Sequence, residues 1–148
     1  MSDNRTPNWQ PISRLSLIAQ HIDEMLAAAL EQLANLREAI PKLYVLDDYT
    51  VNRVIKVFTT LQNDLWLFDE QLQRWQATRL TSSQAQEVGW LITRMKQLRE
   101  TVSQILALAK DLKEKTIERQ LLKVTLKSAW NLYSNHLPNQ NLEISLYH

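Results

Sequence analysis

From Val51 to Trp75 the apolar side chains Val51, Val54, Phe58, Leu61, Leu65, Phe68, Leu72 and Trp75 recur at intervals of 3-4-3-4-3-4-3. This alternation keeps successive side chains on one face of an α-helix. The stretch therefore predicts a long amphipathic helix that packs lengthwise on other helices, much as in a coiled coil. The same interval series returns in Val88, Leu91, Met95, Leu98, Val102, Ile105, Ala109 and Leu112, a second seam. Between the two lies a connection over Thr78 to Leu80, too short for anything but antiparallel neighbours.

Local signals mark the ends of these helices. Asp47 is placed to cap the first of them, with Leu46 and Val51 at the spacing of a hydrophobic staple. Thr81 and Gln84 have the spacing of a capping box for the second. Upstream, Leu15, Ile18, Ile22, Met25, Ala29, Leu33, Leu36 and Ile40 define a helix that starts at Pro11 and runs to about Ala39. Its two successive steps of four (Met25, Ala29, Leu33) break a strict heptad and suit a globular bundle. Ala27, Ala28 and Ala29 offer a neighbouring helix a close approach. Pro41 stops this helix, and the apolar connection Leu43 to Leu46 is expected to cover the end of the bundle.

Past Leu112 the second seam loses phase, because Arg119 and Lys123 fall where apolar residues are due. A new apolar set follows at Ile117, Leu121 and Val124, and another, displaced around the helix, at Leu122, Leu126, Ala129, Tyr133 and Leu137. The change of phase predicts a bend near Lys113 to Thr116 into a fourth helix that Pro138 ends. A single uninterrupted helix that changes the partner it faces is the other outcome. The expected architecture is an all-α, antiparallel up-and-down helical bundle over residues 12–137, with three long helices and a shorter C-terminal one. Tails flank it at 1–11, anchored by Trp9, and at 138–148, where Leu142, Ile144 and Leu146 alternate weakly.

Composition agrees with few turns. In 148 residues there is one glycine, Gly89, with four prolines outside the periodic stretches and no cysteine. A disulfide scaffold, a thiolate nucleophile and a sulfur-ligated zinc site are thereby excluded. Residues 1–14 lack the apolar core of a signal peptide, and no apolar run is long enough to span a bilayer. The expectation is a soluble, cytoplasmic protein with no membrane association.

Charge is uneven although the net is only +1. Residues 1–93 hold 8 Lys+Arg against 11 Asp+Glu, whereas residues 94–127 hold 9 against 4. Within the basic part, Lys115, Arg119, Lys123 and Lys127 form an i, i+4 ladder with Trp130 and Tyr133 beyond it. Such a stripe suits nucleic-acid backbone contacts and base stacking; a solvated face partly tied by pairs such as Asp111–Lys115 is the plainer reading.

Two further constellations draw attention. Trp66, Leu67 and Trp90 lie off the two seams, with Trp66 and Trp90 expected at one height across the hairpin. They are either covered by the first helix, the last helix or the Trp9 segment, or they form a partner-binding surface. His21 and Glu24 at i, i+3 resemble half of a carboxylate-bridged di-metal set, but they sit beside their seam with no matching pair elsewhere, so no metal site is expected. No nucleophile–base pairing or glycine-rich loop is present. The residues point to no enzyme and no cofactor. They point to a non-catalytic protein-interaction or assembly module, self-associating to a homo-oligomer, with nucleic-acid binding through the basic ladder as the alternative.

Overall fold

A computed structural model describes residues 6–45 and 47–135, apart from the side chains of residues 43–45, 119, 120 and 123. Its α-helices are α1 (Leu15–Ala39), α2 (Asp48–Gln76) and α3 (Ser82–Asn135). Short 3-10 segments at Ile12–Arg14 and Ile40–Val45 precede and follow α1. No strand occurs among the described residues.

The helices form an up-and-down bundle in which α3 packs along both α1 and α2. Asp23 with Arg94 and Arg37 with Gln104 show α1 and α3 rising in the same direction. His21 stacked on Phe68, and Gln10 bonded to Gln71, show α2 running the opposite way to α1. Both seams face inward. All eight α3 seam residues from Val88 to Leu112 are buried, as are Val51, Val54, Phe58, Leu65, Leu72 and Trp75 of α2, with Leu61 and Phe68 packed against them at partial exposure. Each fully buried side chain of this size contributes about 1.5–3 kcal/mol in gross transfer terms, most of it offset by chain entropy.

The first helix differs in detail from its expected seam. Leu26 is buried, Ile18 and Met25 are only partly so, and Ile40 is exposed. Of the three consecutive alanines only Ala29 meets a neighbour; Ala27 and Ala28 are exposed. Pro11 is extended (φ −69°, ψ 159°) and stands just before the first 3-10 turn, where its carbonyl accepts from the Arg14 N–H at 2.9 Å.

The caps form as the spacing predicts. Asp47 Oδ1 accepts from the Thr50 N–H at 2.8 Å. Hydrogen bonding by Thr50, through its side chain and then its backbone, holds the Asp47 carboxyl below the usual carboxylate range. The cap's contribution is complete above that range and is lost as pH falls through the lowered value. Thr81 and Gln84 close a reciprocal box, with Gln84 Oε1 accepting from the Thr81 N–H at 3.0 Å and Thr81 Oγ1 accepting from the Gln84 N–H at 3.1 Å. Leu46, the expected staple partner, lies outside the described residues. So do the side chains of Leu43 to Val45, and the tail from residue 136 onward with Pro138 and its weak alternation.

The expected bend at Lys113 to Thr116 is absent. α3 continues for 54 residues, roughly 81 Å at 1.5 Å per residue, and the residues assigned to a separate fourth helix are its far end. The reason is local. Neither glycine nor proline interrupts the backbone between Gly89 and Pro138, so nothing breaks the hydrogen-bond ladder. The apolar phase changes because the last buried residues, Leu112 and Thr116, mark where α3 leaves its neighbours. Thr116 satisfies its buried hydroxyl by donating to the Leu112 carbonyl at 2.8 Å.

Gly89 has no structural need to be glycine, since a Cβ there would meet nothing within 4 Å. Gly89→Ala is expected to stabilise the protein by about 0.5–1 kcal/mol through helix propensity, read as a higher urea midpoint at unchanged slope.

Candidate interaction surfaces

Beyond Thr116, α3 leaves the bundle carrying large, exposed apolar side chains. Ile117, Leu121, Leu122, Val124, Leu126, Leu132 and Tyr133 are all exposed, Leu121 to 63%. No described residue from Ile117 to Asn135 is buried. Trp130, half-buried, lies tilted against Tyr133 with ring centroids 5.8 Å apart. Leucine on more than one side of a helix in water is an apolar surface of the kind that marks interaction sites.

The basic ladder lies on this same emergent segment. Lys115 is tied to Asp111 at 3.0 Å, as the spacing predicts. The side chains of Arg119 and Lys123 lie outside the described residues. The ladder thus begins at the margin of the bundle and runs past it, adjoining the Trp130–Tyr133 pair at its far end.

The three partner-surface residues have separate settings. Trp66 sits on α2 at 54% exposure, with the Trp9 ring edge-on to it at 6.4 Å. Leu67 is half-buried. Trp90 is 60% exposed and lines a groove between α1 and α3 with Ala19, Asp23, Leu91 and Arg94. No ring contact joins Trp66 to Trp90 among the described residues.

The Trp9 ring that meets Trp66 is held by a clamp on the N-terminal segment. Gln71, buried in α2, acts as a two-sided amide: its Oε1 accepts from the Gln10 N–H at 2.6 Å, and its Nε2 donates to the Gln10 carbonyl at 3.2 Å. Trp75 Nε1 donates to the same carbonyl at 2.9 Å. One residue earlier, Trp9 lies under the Arg74 guanidinium, 4.3 Å from its ring centre, and Arg74 is held by Glu70 at 3.2 Å. The clamp satisfies both backbone polar groups of Gln10 and both ends of the Gln71 amide, the condition for burying them. Sequence spacing carries no signal for Gln71, because its partner is 61 residues away.

His21 stacks on Phe68 at 5.3 Å, and Glu24 accepts from Gln20 at 3.1 Å. No group of three His, Asp or Glu residues converges to hold a metal among the described residues. Asp64 is exposed, Glu70 pairs with Arg74, and Asp69 pairs with Arg99 across the α2–α3 groove. These are partly exposed ion pairs, worth about 0–1 kcal/mol each. No described helix is long and apolar enough to cross a membrane. Compared with known proteins, the chain matches no family model, no curated protein and no solved structure.

Proposed function

We propose that the protein is a non-catalytic assembly module that self-associates through the part of α3 outside the bundle. The observation that carries this reading is the seven large apolar side chains exposed between Ile117 and Tyr133. Burying half of them on each of two copies, from their 41–64% exposure, is worth on the order of 5–10 kcal/mol gross. That is of the same order as the cost of association, about 4–15 kcal/mol. Trp66 and Trp90 offer less, since the first is partly covered by Trp9 and the second stands among charged neighbours.

Sedimentation equilibrium on the full chain tests this. A reversible oligomer is expected, and Leu122→Glu combined with Leu126→Glu is expected to weaken it at least 100-fold, about 2.7 kcal/mol. Both residues are exposed, so the helical content and unfolding midpoint of dilute protein should be unchanged. A wild-type chain that stays monomeric at every concentration overturns the proposal. If that monomer instead binds duplex DNA or RNA with an affinity that falls steeply with salt, the Lys115, Arg119, Lys123 and Lys127 ladder takes its place.

A further inference from the structure

We infer that the occupant of the emergent α3 face is the same segment of a second copy, laid antiparallel about a midpoint near Val124. This rests on the self-association proposed above and adds its partner, seam and direction. The seam follows from spacing. Lys115, Arg119, Leu122, Leu126, Ala129 and Tyr133 recur at 4-3-4-3-4 and fall within a sector of about 80° at ~100° per residue. Its first two positions are cationic and its last four apolar.

That asymmetry selects the direction. Residues 113–127 hold five Lys+Arg and two Asp+Glu, and residues 128–135 hold no charge. In a parallel pair each cationic position would meet its own copy across helix axes about 8–10 Å apart. That distance is near one Debye length at physiological salt, about 8 Å. Asp111 offsets Lys115 alone, and position 119 would face its own copy with no anion of its own on the seam. Reversed about Val124, the seam complements itself. Lys115 comes opposite Tyr133, position 119 comes opposite the small Ala129, and Leu122 comes opposite Leu126. Lys115 keeps Asp111, while its aliphatic stem and ammonium meet a ring already braced by Trp130, a favourable cation–aromatic arrangement. The other apolar row, Ile117, Leu121, Val124 and Leu132, lacks this built-in polarity and lies on another side of the helix.

The chain contains no cysteine, so one introduced thiol reports one intermolecular distance. A nitroxide on Ser134→Cys, and separately on Glu114→Cys, is to be measured in the full-length protein by pulsed dipolar spectroscopy. Both positions are exposed and neither is on the seam. Each should give a separation of about 30 Å, from 20 residues of helical rise. Separations below about 15 Å at both sites, in a protein that still oligomerises, overturn the antiparallel assignment and leave self-association standing. No intermolecular distance and a monomeric mass overturn both. Leu126→Glu should weaken association at least tenfold and Leu132→Glu much less; the reverse order overturns the choice of seam.

Discussion

Leu65→Asp is expected to abolish cooperative unfolding, leaving no thermal or urea transition and a strongly reduced helical circular-dichroism signal. Leu65 is 2% exposed at the centre of the α2 seam. Truncating such a leucine costs about 2–5 kcal/mol through lost transfer energy and the cavity left behind. A carboxylate at the same place adds the penalty of an unpaired buried charge, several kcal/mol more. Small domains hold about 5–15 kcal/mol in all, so the sum removes most or all of it. A matched Lys56→Ala, on the exposed side of the same helix, should leave the transition where it was. A cooperative transition in Leu65→Asp would mean that the α2–α3 contact is not what holds the bundle.

Gln71→Leu should release the N-terminal segment while the bundle stays folded. The substitution fits the volume but removes both amide bonds to Gln10, leaving the Gln10 N–H without its partner. Two lost hydrogen bonds at about 0.5–1.5 kcal/mol each, with an added desolvation term, give a loss of about 2–3 kcal/mol. Trp9 would then leave Trp66 and Arg74. The expected signs are a red shift in tryptophan emission and rapid proteolysis ahead of Leu15, with the α-helical signal retained. Gln71→Glu keeps an acceptor for the Gln10 N–H but turns a carboxylate oxygen toward the Gln10 carbonyl in a site only 5% exposed, and should release the segment at least as readily. A segment that stays protected in both variants would show that it is held by Trp9 and Trp75 and not by the amide.

The parts of this architecture that could be read from the chain are those in which neighbours in sequence decide. The seams are periodic because a helix repeats its facing direction every three or four residues, so Val51–Trp75 and Val88–Leu112 announce themselves. Asp47 and the Thr81–Gln84 box act over three residues and are equally plain. Leu26 and Leu106 are buried one step off their seams, because helices in a compact bundle bury a sector wider than a single row. The Gln71 clamp could not be foreseen, since it depends on where a distant backbone arrives. The loss of phase after Leu112 was legible, but its cause was not. A bend and a helix outrunning its neighbours give the same pattern, and only the lengths of α1 and α2 distinguish them. For the same reason, the apolar rows beyond Thr116 read as part of a core until the structure shows them exposed.

The unbroken backbone of α3 fixes more than length. With no hinge between Leu112 and the outlying residues, the azimuth of the far end is locked to that of the bundle, as the bit of a key is to its bow. One residue inserted at Lys113 would swing the outer face by about 100° and advance it by about 1.5 Å. In the proposed pair, the sense in which the two bundles are presented to each other is therefore written into the helical phase count, not into any flexible joint.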